Sequence, residues 1–152
     1  MNGPTANFTW NELTRSATAL RCGIDNEPPA SSDVWANLRI LAEKILQPVR
    51  DHFGRPVTVN SAYRCLELNR KLGSRDTSDH VRGLAADFEI AGIDNWEVAW
   101  WVRSRLRTRQ VICEYMVDGD PDAGWIHASV GPFHDWPYLI IDKHSPYGRV
   151  WE

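Results

Sequence analysis

Helix-like spacing of hydrophobic residues dominates the first third of the chain. Thr9 and Glu12 have the spacing of a capping box, so a first helix is expected to start at Thr9 and to fade near Ala19. A longer helix is expected to run from a serine cap at residue 31 or 32 to about His52. Its hydrophobic residues recur at three- and four-residue steps: Val34, Leu38, Leu41, Ile45 and Val49.

After residue 55 the pattern changes to short runs rich in β-branched or alternating residues, which are typical of strands. Because helices come first and strands follow with hairpin-type connections, the chain is expected to fold as an α+β domain with a mainly antiparallel sheet. The predicted strands are 56–61, 84–90, 110–116, 125–130 and 138–141, with helices at 65–72 and 95–107.

Composition narrows the class of protein. The 152 residues, 43% hydrophobic and 24% charged, predict one soluble globular domain spanning residues 1–152. A net charge of −3 argues against nucleic acid as the main partner, because duplex binding needs a clustered basic surface. No apolar run is long enough to span a membrane, and the N-terminus lacks a signal-peptide pattern. We therefore expect synthesis in a cytoplasm and no membrane insertion.

His80 and Asp87 are the first candidates for chemistry. They are seven residues apart with Gly83 between them, which suits a loop histidine folded back beside an aspartate in the middle of a strand. Alternation places Asp87 among small and apolar neighbours, where a zinc ion would relieve the cost of burying its charge. On spacing alone, a solvated histidine and a salt-bridged aspartate remain the simpler interpretation.

Two later residues add to this pair. His127 shares a strand face with Trp125 and Ser129, although an ordinary surface histidine would look the same. Glu114 stands within an apolar strand-like run, where glutamate has a poor strand propensity. A zinc hydrolase with three protein ligands needs a carboxylate to accept the proton of its water, and Glu114 suits that role. A cross-strand salt bridge is the alternative for Glu114.

Several motifs, in this order, resemble the zinc D-alanyl-D-alanine carboxypeptidase family: Val59-Asn60-Ser61-Ala62-Tyr63-Arg64, Leu68-Asn69, Ser78-Asp79-His80 through Gly83-Leu84-Ala85-Ala86-Asp87, and Trp125-Ile126-His127. Residues 8–13 and 46–50 also resemble its phage-type branch. The family includes wall-trimming carboxypeptidases and phage endolysins, and it shares its fold with the hedgehog signalling domain. The resemblance covers about residues 8–130 and implies helices packed on one side of a central, mainly antiparallel sheet.

The resemblance implies that His80, Asp87 and His127 bind one zinc ion per chain and that Glu114 is the general base. In several family members the base lies only a few residues before the last histidine, whereas Glu114 precedes His127 by thirteen. Asp122 is nearer and is kept as the reserve. Residues 110–115 resemble the strand that carries the base in the phage-type branch, so Glu114 is preferred.

The remaining site residues are also implied by the resemblance. Arg64 matches the family's substrate-binding arginine and would hold a carbonyl or carboxylate of the peptide. Ser78 would hydrogen-bond the substrate or orient the histidine that follows it. Ser61 and Tyr63 would shape the pocket wall, and Trp125 would flank the cleft.

The implied function is a zinc-dependent peptidase that hydrolyses peptidoglycan stem or cross-link peptides, as a phage endolysin-type endopeptidase does. A D-alanyl-D-alanine carboxypeptidase and a non-catalytic, zinc-stabilised wall-binding or structural phage module are the alternatives. Peptidoglycan peptide is the expected partner of a monomer that reaches the wall after release through the host membrane. The aromatic tail, Trp136, Tyr138, Tyr147 and Trp151, is expected either to pack against the domain or to bind wall sugars.

Overall fold

The computed structural model describes residues 2–131 and 138–152. Helices dominate the first third of the chain, and strands dominate the rest. The helices are α1 (Trp10–Thr14), α2 (Ala17–Cys22), α3 (Val34–Leu41), α4 (Gln47–Phe53), α5 (Leu66–Lys71) and α6 (Asn95–Arg105), and a π-helical turn, Ala42–Leu46, joins α3 to α4. The strands are β1 (Thr58–Ser61), β2 (Ala85–Glu89), β3 (Gln110–Glu114), β4 (Trp125–Ser129), β5 (Leu139–Asp142) and β6 (Ser145–Val150).

These strands form one sheet in the order β1-β2-β4-β3-β5-β6. Neighbouring strands are antiparallel except β3 and β5, which run parallel. Hydrophobic residues of α1, α3, α4 and α6 join one face of the sheet in a common core. The expected α+β class, with a mainly antiparallel sheet and helices packed on one side of it, is confirmed.

The N-terminal helical region contains two short helices instead of the single one predicted. The capping box at the start is present: the Thr9 hydroxyl accepts the Glu12 N–H at 3.2 Å, and the Glu12 carboxylate accepts the Thr9 N–H at 2.8 Å. The chain then becomes extended at Arg15, and the Ser16 hydroxyl accepts the Ala19 N–H to cap α2. A second cap inside the predicted helix therefore starts a new helix.

The long helix is observed from Val34 to Phe53 and contains the π-helical turn before Pro48. There the Gln47 N–H donates to the Ala42 carbonyl, five residues earlier. Proline has no N–H and its ring crowds the preceding turn, so a widened turn accommodates it without breaking the helix. Neither this helix nor any other in the described residues is long and apolar enough to cross a membrane.

The two faces of the central strands carry different residues, as their alternation predicted. On one face Phe88, Val111 and Ile126 are completely buried against the helices. Burying side chains of this size stabilises the fold by about 1.5–3 kcal/mol each. On the opposite face the same strands carry Asp87 and His127, which are buried without a helix above them.

The C-terminal segment extends the sheet by a hairpin of β5 and β6. Only β5 was predicted, since Pro146 and Gly148 disfavour a strand at β6, but an edge strand tolerates both. Tyr138 and Trp151 pack against α6 around Arg103, which confirms packing for these two tail aromatics. Trp136 lies outside the described residues.

Candidate metal centre and active-site cleft

Strand register brings the first two site residues together. Asp87 of β2 lies directly opposite His127 of β4, and their side chains leave the sheet on the face away from the helices. The His127 Nδ1 atom is 2.9 Å from Asp87 Oδ1. On the other side of β4, Glu114 of β3 pairs with Trp125. Trp125 is two residues before His127 in β4, so these side chains lie on the same face of the sheet.

His80 reaches the same point from the loop before β2. The chain bends at Gly83, whose φ is +72°, and a Cβ there would lie 3.0 Å from a Val34 methyl and 3.1 Å from Leu38 Cγ. The bend predicted at this glycine is confirmed. His80 Nδ1 donates to the Ala62 carbonyl at 2.7 Å, which orients the ring and leaves Nε2 unprotonated toward the cleft when the imidazole is neutral.

The three candidate ligands converge within 4.8 Å of one another, and all are buried. His80 Nε2 lies 3.2 Å from His127 Nδ1 and 3.3 Å from Asp87 Oδ1. Burial lowers the pKa of His80. Burial opposes ionisation of Asp87, but the charges and hydrogen bonds of His80 and His127 outweigh it and lower the pKa of that carboxyl. Two imidazole nitrogens and a carboxylate oxygen that face each other in a dry site fit a zinc ion.

The second oxygen of Asp87 is paired with Arg64. Arg64 Nη2 lies 2.8 Å from Asp87 Oδ2, and Arg64 Nε donates to Ser61 Oγ at 2.9 Å. The Arg64 backbone N–H also donates to the His80 carbonyl. Sequence reasoning predicted Arg64 as a substrate contact but missed this pair, which fixes the direction of the Asp87 carboxylate. No local signal could have revealed it, because the two residues meet only through the β1–β2 register.

Glu114 lies at the edge of the ligand group. Its Oε1 is 3.9 Å from His127 Nδ1, and its side chain is largely buried. The pKa of Glu114 is raised to about 7, mainly by burial and secondly by the negative charge of Asp87. Asp122, by contrast, is exposed in the turn between β3 and β4 and is not among the described residues that line the cleft.

An unusual backbone follows Glu114. Tyr115 has a φ of +55°, and Gly124 packs so closely against this turn that a Cβ would lie 2.2 Å from the Glu114 carbonyl oxygen. Glycine at 124 is therefore required for the close approach of β4 to the end of β3. This contact holds Glu114 and Trp125 side by side above the sheet.

The candidate ligands form the floor of a cleft of about 830 Å³. Ser78 and Trp125 line it, and Ser78 Oγ accepts the His80 N–H at 3.3 Å. Ser61 and Tyr63 are not among the described lining residues, so their role in shaping the wall stays a prediction. The lining residues beyond the predicted set are Leu72, Gly73, Ser74, Arg75, Thr77, Asp79, Arg109, Gln110, Ile112, Ile141, Pro146 and Tyr147.

Asp79 is the clearest of the residues that sequence reasoning missed. Its carboxylate accepts hydrogen bonds from Arg82 and from Arg109, whose Nη1 lies 3.2 Å away. These contacts tie the loop that carries His80 to the start of β3. The spacing of Asp79 and Arg82 was a usable local signal, whereas Arg109 is thirty residues away and depends on the fold.

The fold and this cleft define a metallopeptidase. The sequence matches the family model described as Peptidase M15 over residues 6–120, and the chain belongs to that family. The family is zinc-dependent and acts on peptidoglycan-type substrates. The match includes His80, Asp87 and Glu114 but ends before His127, so the position of His127 in the site rests on the strand register. Among curated proteins no sequence matches this chain.

Proposed function

We propose that this protein is a zinc-dependent endopeptidase that hydrolyses stem or cross-link peptides of peptidoglycan, in the manner of a phage endolysin. His80, Asp87 and His127 hold the zinc ion, Glu114 is the general base, and Arg64 binds the substrate. The observation that carries the proposal is the buried group of two histidines and one aspartate at the floor of an open cleft, with a further, largely buried carboxyl group 3.9 Å from one ligand.

The extent of the cleft supports an endopeptidase. Its lining continues past the ligand group to Ser74, which lies beside Arg64, and to Ile141 and Tyr147 on strands β5 and β6. A peptide lying across the strands would thus be held on both sides of the bond that is cut. The phage endolysin assignment rests in addition on the resemblance of residues 8–13 and 46–50 to the phage-type branch.

A D-alanyl-D-alanine carboxypeptidase is the second candidate. Arg64 and Arg75 both line the cleft, and a guanidinium group can pair with the terminal carboxylate that this reaction requires. The third alternative, a non-catalytic zinc module, is disfavoured because Glu114 is retained beside His127.

The residues of the site have separate roles in the reaction. Zinc bound at the three ligands would supply Lewis acidity that polarises the scissile carbonyl and acidifies the attacking water. Glu114 Oε1 accepts the proton of that water and returns it to the leaving amine. Arg64 Nη2 and Nε stay with Asp87 and Ser61, while Nη1, 3.5 Å from Ser74 Oγ, supplies the N–H that can donate to the developing oxyanion.

The decisive experiment incubates purified protein with isolated peptidoglycan, with and without a chelator, and identifies the products by mass spectrometry. We expect new amino termini within the stem or cross-link peptide, lost on chelation and restored by zinc. Release of D-alanine alone would replace the endopeptidase with the carboxypeptidase. Absence of any product, with one zinc ion still bound per chain, would refute both and favour the non-catalytic module.

A further inference from the structure

The β5–β6 hairpin forms one wall of the cleft. Ile141 of β5 pairs with Glu114 of β3. In the sheet, the hairpin therefore lies next to the strand that carries the proposed base. Ile141, Pro146 and Tyr147 all line the cleft from this side. The hairpin lies beyond residue 120, where the match to the family model ends, and is thus a feature of this chain that the match does not cover.

The base of the hairpin is held firmly. The Arg103 guanidinium lies over the rings of Tyr138 and Trp151, 4.5 and 4.7 Å from their centroids, and Arg103 Nη1 donates to the Trp151 carbonyl at 3.0 Å. The Trp151 N–H donates to the Tyr138 carbonyl at 2.7 Å. Packing against α6 therefore accounts for these two aromatics, and it fixes the strand on which Tyr147 stands.

Tyr147 differs from Tyr138 and Trp151 because its ring is not packed into the domain. It is 95% exposed, and it nevertheless lines the cleft. A tyrosine has few rotatable bonds, so holding its ring against a ligand costs little conformational entropy. An aromatic residue kept in water at the rim of a cleft, on an anchored strand, is suited to contact with a bound molecule.

The two walls of the cleft offer different chemistry. The loop after α5 contributes hydroxyl and charged groups, including Ser74, Arg75 and Thr77, whereas Ile141, Pro146 and Tyr147 make the wall formed by the β5–β6 hairpin apolar. An apolar wall that ends in an aromatic ring binds aliphatic C–H surfaces. Peptidoglycan presents such surfaces both on the faces of its sugar rings and on the alanine side chains of its stem peptides.

We infer that Tyr147 is a substrate-binding residue of this cleft, which contacts an aliphatic C–H surface of the peptidoglycan fragment on the β5–β6 side of the scissile bond. The inference rests on the proposed function and adds to it a residue that sets substrate affinity. The ring acts through contact area and touches no reacting atom, so it affects KM and leaves the chemical step to Glu114.

The test measures kcat and KM for Tyr147→Ala, Tyr147→Phe and the matched control Val150→Ala, an exposed residue of the same strand that is not among the described lining residues. Two substrates are used: a soluble cross-linked muropeptide that keeps its sugars, and the same cross-linked peptide after the sugars are removed. Dissociation constants for both are measured in parallel with zinc-loaded Glu114→Gln protein, with and without Tyr147→Ala.

We expect Tyr147→Ala to raise KM and Kd about tenfold, with kcat changed less than about twofold, and Tyr147→Phe to recover most of the loss because it keeps the ring. A loss confined to the sugar-bearing muropeptide identifies a sugar face as the contact, and a loss on both substrates identifies the peptide. An equal effect of Val150→Ala would overturn the inference, since it would reflect a general disturbance of the hairpin.

The measurements distinguish a wrong role for Tyr147 from a wrong proposed function. Unchanged KM and Kd in Tyr147→Ala, with an active wild type, would overturn the role of Tyr147 alone. A wild type that binds the muropeptide without cutting it would overturn the peptidase proposal. The Kd values of Glu114→Gln protein with and without Tyr147→Ala would still test the role of Tyr147. A wild type that neither cuts nor binds either substrate would overturn both.

Discussion

Strands β2, β4 and β3 bury both of their faces, but helices cover one face and the other forms the floor of the cleft. On the helix side the buried residues are apolar, such as Phe88 and Ile126. On the cleft side Asp87 and His127 are 6% and 7% exposed, so they are nearly as dry as the core residues beside them. Apolar area is enough to stabilise the first face, whereas the second depends on pairing its charged and polar groups.

Adjacent residues of β3 show the same difference. Cys113 points into the core, where burial raises the pKa of its thiol to about 12, so it stays protonated near neutral pH. Glu114 points into the cleft, where burial is again the main reason that its pKa is raised to about 7. Desolvation acts on both faces, but only the cleft face surrounds its buried acid with Asp87, His127 and Arg64. The cleft face therefore has a composition that stability alone does not require.

Replacing Glu114 with glutamine should give the largest separation between function and stability. We expect the rate of peptide hydrolysis to fall by about 10²–10⁴, because a proton acceptor is lost, while zinc content and thermal midpoint stay close to wild type. Hydrolysis is measured on peptidoglycan and zinc by elemental analysis. Asp122→Asn is the matched control and should keep full activity. Normal activity in Glu114→Gln combined with its loss in Asp122→Asn would transfer the role of base to Asp122.

On the core face, Phe88→Ala should have the opposite profile. Phe88 is next to Asp87 but points to the helices, and removing a buried aromatic side chain costs about 3–5 kcal/mol of unfolding free energy. Urea unfolding measures this loss. At a temperature where the variant is folded, it should still bind one zinc ion per chain. Loss of zinc binding in the folded variant would show that the two faces are not independent.

Strand alternation was the part of this arrangement that could be predicted from sequence, because a two-residue period needs no knowledge of the partner strand. It placed Asp87 and His127 on strand faces that the register then joined. The bond between Arg64 and Asp87, and the parallel pairing of β3 with β5, depend on long-range register and could not be predicted. The resemblance to a known family supplied the roles that spacing alone left open.

His127→Ala tests the cleft face as a metal site. A ligand that binds only the folded state at about 1,000 times its Kd adds about 4 kcal/mol of stability, which corresponds to a rise of about 8–16 °C in the thermal midpoint of a protein of this size. We expect wild-type protein to show such a rise when zinc is added to chelator-treated samples, and His127→Ala to lose most of it. His144→Ala, a change at an exposed histidine in the β5–β6 turn, is the control. An equal rise in wild type and His127→Ala would remove His127 from the ligand set.

The smallest expected effect comes from Ile126→Val, a change between Trp125 and His127 in the same strand. Ile126 is completely buried on the core face, so losing one methylene should cost about 0.5–1.5 kcal/mol of unfolding free energy. Because its side chain points away from the cleft, zinc affinity and kcat should remain at wild-type values. The measurement pairs urea unfolding with zinc titration of the same preparation. A weakened zinc site in this variant would mean that core packing sets the position of His127, and that a change of one methylene on the helix side is transmitted through β4 to the metal centre.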